Sequence, residues 1–188
     1  ELVYCEMYAG GKYNNNASDA SYEYSLGLNG LGACATQYSS DYMTVESYNG
    51  ESVSSIGFQK GFPVGELVVT LLDRKSRRTG TVIRWLPDLE VFTDINIPRE
   101  FFEETLKKQS IVNPKIKFIL DWQNDGGEFI RSEYYYENGI IDYVNELAGG
   151  ESLTAPVIWH METSGRDRED KEDYKLKADI SFCVSNTI

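Results

Sequence analysis

Three glycines close together form the strongest candidate for a ligand site in this sequence. Gly27, Gly30 and Gly32 stand just before the small, helix-compatible residues from Ala33 to Ser40. Glycine permits positive φ and leaves backbone N–H groups accessible, and a helix that starts there favours an anion. Phosphate is the natural guest of such a loop. A plain tight turn explains these residues equally well, because their spacing matches neither common nucleotide-binding fingerprint.

Lys12 adds a positive charge upstream of the glycines. It lies in the segment from Gly10 to Ser21, which contains almost nothing that a core could hold. We predict a mobile loop there, and the flexible lysine suggests a lid over a polyphosphate. The alternative is a solvent-exposed, glycine-rich loop without a ligand.

Other residues with catalytic or binding chemistry carry weaker signals. His160, the single histidine, lies in a strand-like run with no nucleophile near it in sequence, so we interpret it as an ordinary strand histidine. Glu103 and Glu104 lie on the polar face of a predicted helix, where carboxylates mostly aid solvation. The segment from Arg74 to Arg78 could contact DNA, but an exposed loop with local charge is the preferred interpretation.

Composition limits the classes of protein that remain. The chain has 188 residues, enough for one domain or two small ones, and 41% hydrophobic and 13% aromatic residues describe a folded protein. Its 18 basic and 30 acidic residues give a net charge of −12, which argues against a broad DNA-binding face. No window approaches the roughly 20 apolar residues of a membrane span.

The cysteines and the N-terminus indicate a cytosolic protein. Cys5, Cys34 and Cys183 are widely spaced and odd in number, so neither a disulfide framework nor a zinc site is predicted. The residues after Glu1 lack the features of a signal peptide, and there is no initiator Met. We therefore expect a cytoplasmic location and a piece of a longer protein.

Hydrophobic periodicity predicts an α+β fold that divides near Asn113 and Pro114. The turn signal Asn49-Gly50 predicts a hairpin, because it separates two strand-like runs. Before the division, the pattern predicts strands at Leu67 to Leu72 and Thr81 to Leu86, then an amphipathic helix from Pro98 to Ser110. After it, a β-β-α-β-β unit is predicted, with strands at Lys115 to Trp122, Glu128 to Tyr136, Val157 to Met161 and Leu176 to Val184, and a helix at Asn138 to Leu147.

An ordered set of five motifs resembles the B subunits of bacterial type II DNA topoisomerases, DNA gyrase and topoisomerase IV alike. The resemblance extends over essentially the whole chain. Its motifs are Ala9 to Tyr13, then Tyr22, then Gly27 to Ala33, then Thr79 to Thr81 before Trp85 to Asp88, and finally Tyr136 to Ile140.

The resemblance implies a fold and a site. Residues 1–113 would be the distal part of a gyrase/histidine-kinase-like ATPase sandwich, and residues 114–188 the start of a ribosomal-S5-like transducer domain. Lys12 would approach the γ-phosphate of ATP, Tyr22 the adenine side, and the hydroxyl of Thr81 the adenine pocket. The remaining implied nucleotide contacts come from the glycine motif, with its backbone on the phosphates: Gly27, Leu28, Asn29, Gly30, Leu31 and Gly32.

The resemblance also implies partners and missing parts. ATP with Mg²⁺ would be the cofactor, while the general base, the metal ligand and the adenine-reading aspartate are expected upstream of Glu1. We therefore expect no catalytic residue and no ATPase activity in this chain alone. The partners would be a second copy of the B-type chain, the A-type chain of the topoisomerase and, through other domains, DNA, with no membrane. The alternative is a non-catalytic interaction or dimerisation module that does not bind nucleotide.

Overall fold

The computed structural model describes residues 2–7, 31–166, 168–170 and 173–186, and it confirms the α+β class. The chain divides into two compact units, Glu1–Asn96 and Ile97–Ile188. Strands within both units pair in antiparallel fashion. None of the helices in the described ranges has the length and apolarity of a membrane span.

The first unit is built on a four-stranded sheet with strand order β3-β2-β1-β4. Two short helices precede the strands in sequence. The elements are α1 (Leu2–Cys5), α2 (Gly32–Tyr38), β1 (Ser40–Asn49), β2 (Ser52–Gln59), β3 (Phe62–Leu71) and β4 (Thr79–Pro87).

The turn between β1 and β2 confirms the predicted hairpin. Gly50 has a φ of +97°, a conformation that glycine adopts at little steric cost. The side-chain oxygen of Asn49 accepts hydrogen bonds from the backbone N–H groups of Glu51 at 3.0 Å and Ser52 at 2.8 Å. The Asn-Gly pair therefore sets the turn through both backbone and side chain, as its residue types indicate.

The core of the first unit lies on one face of this sheet. Alternation along the central strands buries Met43 and Val45 on β1, which pair with Phe58 and Ile56 on β2. Helix α1 packs on this group, and the ring of Tyr4 lies 6.1 Å from that of Phe58. The centre of the sheet is thus covered on this face.

The second unit has the predicted β-β-α-β-β order, preceded by a helix. The strands form two separate two-stranded sheets, β5-β6 and β7-β8. The elements are α3 (Arg99–Val112), β5 (Phe118–Gln123), β6 (Phe129–Tyr134), α4 (Ile140–Ala148), β7 (Val157–Gly165) and β8 (Tyr174–Phe182).

Helix α3 belongs to the second compact unit of the chain. The ring of Phe102 on α3 lies 5.9 Å from that of Trp122 on β5, and Arg99 donates a hydrogen bond to the hydroxyl of Ser132 on β6. The first unit therefore ends at Asn96, before this helix, while the sequence predicts a boundary between domains at Asn113. That the units are an ATPase part and a transducer part stays a prediction.

The turn before α4 explains the motif from Tyr136 to Ile140. Gly139 has a φ of +57°, and a Cβ added there would lie 2.8 Å from the backbone oxygen of Ile111. The carboxylate of Asp142, in the first turn of α4, accepts hydrogen bonds from the backbone N–H and side-chain amide of Asn138. Both features are structural, because they fix how α4 follows the strand and approaches α3.

Candidate functional site

The expected nucleotide-binding residues are only partly covered by the structure. Leu31, Gly32 and Thr81 belong to the first unit and are described. Their expected companions lie outside the described residues: Lys12, Tyr22, Gly27, Leu28, Asn29 and Gly30. The described part of the expected site therefore consists of the end of the glycine motif and strand β4.

The glycine motif leads directly into α2, as predicted. Leu31 has helical φ and ψ of −86° and −28°, and its carbonyl accepts a 2.7 Å hydrogen bond from the N–H of Ala35. Thr36 donates its hydroxyl to the carbonyl of Gly32 at 2.9 Å. A Cβ added at Gly32 would meet no described atom within 4 Å. Among the described residues, none therefore blocks the approach of a group to Gly32.

Thr81 lies on the sheet face that carries the core. Strand β4 pairs with β1 so that Thr81 is opposite Ser47, Ile83 opposite Val45, and Trp85 opposite Met43. Directly paired residues of an antiparallel sheet share a face, so Thr81 is on the same side as Met43. Its side chain is exposed at the edge strand. The hydroxyl is therefore available to a ligand on that side.

Asp88 joins the two elements that carry the described site residues. Its backbone N–H donates a 3.0 Å hydrogen bond to the carbonyl of Ser39, which directly follows α2. Its carboxylate accepts a 2.8 Å hydrogen bond from the N–H of Glu90, and the residue is only 8% exposed. The aspartate of the motif that begins at Trp85 thus ties the end of β4 to the end of α2.

Lys60 reinforces this junction electrostatically. Its ammonium lies 2.6 Å from a carboxylate oxygen of Glu90 and 3.8 Å from one of Asp88. The hydrogen bond with Glu90, helped by the charge of Asp88, raises the pKa of Lys60 above its ordinary value. An ordinary lysine is already charged at neutral pH, and these two carboxylates favour the charged form further.

Gln37 is a residue that sequence reasoning missed. Its side chain on α2 is completely buried, and neither amide atom has a hydrogen-bond partner among the described residues. Buried polar groups in folded proteins are nearly always paired, so such an amide is unusual. The only signal in the sequence is a polar residue near the end of the small-residue run that begins at Ala33.

The second unit contains an open cavity of about 460 Å³, which none of the expected nucleotide-binding residues lines. Its lining includes Ile111, Pro114 and Gly139 together with the pair His160 and Asp179. The imidazole and the carboxylate are 2.5 Å apart across β7 and β8, and both side chains are more than half exposed. His160 therefore has a cross-strand partner, as an ordinary strand histidine would. In the described part of the chain, no group of three or more His, Cys, Asp or Glu residues could hold a metal ion.

A solved structure has the same architecture as this chain. The 43K ATPase domain of Thermus thermophilus gyrase B, crystallised with an aminocoumarin, superposes with a TM-score of 0.58 at 21% sequence identity. The match covers 74% of this chain and 37% of that domain. The fold is therefore that of a gyrase B ATPase region.

Sequence comparison leads to the same group of proteins. The type 2 topoisomerase B subunit of Aquifex aeolicus is 30% identical over 84% of this chain and 19% of its own length. The DNA gyrase B subunit of Rickettsia bellii is 28% identical over 78% of this chain and 17% of its own length. The DNA topoisomerase 4 B subunit of Mycoplasma capricolum is 26% identical, with shares of 84% and 23%. No protein-family model matches the chain.

These matches confirm the resemblance carried by the five motifs. The chain is a homologue of the B subunits of type II DNA topoisomerases, and it spans about a fifth of the length of these relatives. Both gyrase and topoisomerase IV subunits occur among them.

Proposed function

We propose that this chain is the ATP-binding and transducer region of the B-type chain of a type II topoisomerase. In this role it couples ATP binding and hydrolysis to the passage of one DNA duplex through another. The observation that carries the proposal is the common anchoring of α2 and β4 through Asp88, since each element supplies residues of the expected nucleotide site.

The proposed binding residues have complementary tasks. The backbone of Leu28 to Gly32 holds the phosphates, and the ammonium of Lys12 approaches the γ-phosphate as a point charge. Tyr22 packs beside the adenine, and the hydroxyl of Thr81 contributes a hydrogen bond to the adenine pocket. Hydrolysis of ATP transfers its γ-phosphoryl group to water, releases ADP and phosphate and would reset the enzyme, and Mg²⁺ would be held by residues outside this chain.

The described residues fit such a ligand. No described atom lies within 4 Å of where a Cβ of Gly32 would be, which suits the close approach of a phosphate to the backbone. Thr81 presents an exposed hydroxyl on the face where the sheet carries its core. The hydrogen bond from Asp88 to Ser39 keeps the ends of β4 and α2 together. The residues proposed to contact the phosphates and those proposed to contact adenine therefore keep a fixed spacing.

The second unit would transmit the state of the nucleotide. We assign residues 114–188, which have the β-β-α-β-β order, to the transducer, because they follow the ATPase-like part in sequence. Its partners in the proposal are a second copy of the B-type chain, which associates when ATP binds, and the A-type chain that cleaves DNA. The assembly would work in the bacterial cytoplasm, associated with the nucleoid.

Calorimetric titration of the full-length protein with a non-hydrolysable ATP analogue and Mg²⁺ tests this proposal. Lys12→Ala removes a charge-assisted contact and should weaken binding about 10- to 100-fold. Thr81→Val removes one neutral hydrogen bond and should weaken binding about 2- to 10-fold. Thr44→Val is the matched control, because Thr44 pairs with Arg84 and lies on the opposite face of the sheet.

Two results would contradict the proposal. If Thr81→Val and Thr44→Val weaken binding equally, the adenine pocket does not lie on this face of the sheet. Absence of any binding heat in the unaltered full-length protein would favour the non-catalytic interaction module. For the 188-residue chain alone, we expect no appreciable ATPase activity, and Mg²⁺-dependent turnover that survives Lys12→Ala would refute this account of the site.

A further inference from the structure

In the described part of the chain, the basic residues of the loop between β3 and β4 lack the ion pairs that most other basic residues form. Elsewhere, ion pairs are the rule: Lys107 pairs with Glu146, Lys117 with Glu133, and Arg131 with Asp121, and similar pairs hold Lys60, Arg84, Arg99, Lys108, Arg166, Arg168 and Lys177. Within the described residues, no ion pair is formed by the four cations of this loop: Arg74, Lys75, Arg77 and Arg78.

The acidic residue that adjoins this loop is used for its turn. Asp73 accepts hydrogen bonds through its carboxylate from the backbone N–H groups of Lys75 at 3.0 Å and Ser76 at 2.9 Å. Hydrogen bonding from Ser76 holds the pKa of Asp73 below its ordinary value. The carboxylate thus shapes the backbone and leaves the neighbouring cationic side chains without a salt bridge.

Both ends of the loop are fixed to the hairpin between β1 and β2. Leu72 donates its N–H to the carbonyl of Glu51 at 2.7 Å, and Gly50 donates its N–H to the carbonyl of Arg78 at 2.9 Å. The guanidinium of Arg78 lies 3.8 Å from the centre of the Tyr48 ring, in cation–π contact. The loop is therefore held at one end of the sheet with its cations exposed.

We propose that the loop from Arg74 to Arg78 binds the phosphate backbone of duplex DNA. Guanidinium groups bind phosphate oxygens in a bidentate manner, and clustered cations gain free energy by displacing the counterions of a polyanion. A patch of five residues is compatible with the net charge of −12, because it needs no broad positive face. The choice of duplex DNA as the polyanion rests on the proposed topoisomerase function.

The affinity of the loop for DNA should fall steeply as the salt concentration rises. Four phosphate contacts give a slope of about −3.6 for the logarithm of the binding constant against the logarithm of salt concentration. Raising salt from about 50 to 200 mM should then weaken binding on the order of 100-fold. When Arg78 is the only cation left in the loop, the slope should become shallower, at about −0.9. The same change in salt then weakens binding only about 3- to 4-fold.

Fluorescence anisotropy of a labelled, random-sequence DNA duplex with the 188-residue chain measures this slope. The test variant carries Arg74→Gln, Lys75→Gln and Arg77→Gln. The control variant loses the same charge at exposed, paired cations through Lys108→Gln, Lys117→Gln and Arg168→Gln. We expect the steep slope in the unaltered chain and in the control, and the shallow slope in the loop variant.

The outcomes separate this proposal from the nucleotide site. No binding at about 25 mM salt, or equal losses in both variants, would overturn the loop proposal. Tighter binding of an RNA duplex of the same length would overturn the assignment to DNA. Calorimetry of the full-length protein with the ATP analogue is a separate readout that the three loop substitutions should leave unchanged. If the analogue fails to bind while the salt slope still depends on the loop, the proposed function fails and the phosphate contact stands.

Discussion

The two units of the chain are stabilised in different ways. In the first, Met43, Val45, Ile56 and Phe58 are buried on adjacent strands and covered by α1. In the second, the hairpins leave most strand residues exposed, as the outer strands β3 and β4 of the first unit also do. These hairpins carry cross-strand ion pairs such as that of Arg131 with Asp121. Apolar burial contributes more than exposed ion pairs, so the first unit offers the firmer support for a binding site.

Truncating an aromatic residue in each unit should give the largest contrast. Phe58→Ala removes a side chain that is 2% exposed, and we expect a loss of about 3–5 kcal/mol in the free energy of unfolding. Phe129→Ala on β6 removes one that is 67% exposed and should cost less than about 1 kcal/mol. Urea denaturation measures both, and equal losses would break the comparison.

Substitution of two glycines with positive φ tests whether close backbone packing contributes to the stability of the second unit. Gly139→Ala would bring a Cβ within 2.8 Å of the carbonyl oxygen of Ile111, so we expect a loss of about 2–3 kcal/mol. Gly149 has a similar φ of +56°, but no atom of the described residues lies within 4 Å of an added Cβ. Gly149→Ala should therefore cost only about 1 kcal/mol in the same thermal or urea unfolding measurement.

Replacing Gln37 should stabilise the first unit. Gln37→Met keeps a long unbranched side chain and removes a buried amide that has no partner among the described residues, so we expect a gain of about 1 kcal/mol. Chemical denaturation without nucleotide measures the gain. A loss of stability would show that the amide is hydrogen-bonded in solution.

Acidification should weaken the second unit more than the first. Hydrogen bonds from Arg131 and Lys107 lower the pKa values of Asp121 and Glu146, respectively, below their ordinary values. Groups with a lowered folded pKa bind more protons when unfolded. Their stabilising contribution is therefore complete above about pH 4.5 and is lost as the pH falls through the folded pKa values.

The pH effect can be followed by the fluorescence of Trp122, which packs near Phe102, after Trp85 and Trp159 have been replaced by Phe. The urea concentration at the midpoint of unfolding of this unit should decrease as the pH is lowered from about 5 to about 3. Asp121→Asn should reduce the dependence, because it removes one of the titrating groups. A midpoint that stays constant over this range would show that the ion pairs contribute nothing to stability, as some exposed pairs do not.

The sequence predicted local features better than pairing between distant residues. Asn49-Gly50 defines a turn through its own backbone and side chain, so the first hairpin could be predicted. The predicted strand from Leu67 was too short, because β3 begins at Phe62 and passes through Pro63 and Gly65, residues that local propensity disfavours in strands. The close contact of Gly139 with Ile111 depends on helix packing, which no local pattern reveals.

The candidate site could be predicted only as a set of residue types. The glycines around the start of α2 were predicted as an anion site from their residue type, whereas the hydroxyl of Thr81 was proposed only through the resemblance. The helix start at Gly32 agrees with the pattern of small residues. The role of Asp88 could not be predicted, since it joins residues that are remote in sequence. Gln37 was missed because its burial depends on tertiary packing, which a local sequence pattern does not reveal.

The most direct test of the nucleotide site is amide hydrogen exchange of the full-length protein with and without a non-hydrolysable ATP analogue and Mg²⁺. We predict slower exchange in Leu31 to Tyr38 and in Thr79 to Ile83, which are the described elements of the site. Exchange in the hairpin of β7 and β8 should change least. Protection confined to that hairpin, or no protection of α2 and β4 at saturating analogue, would contradict the account.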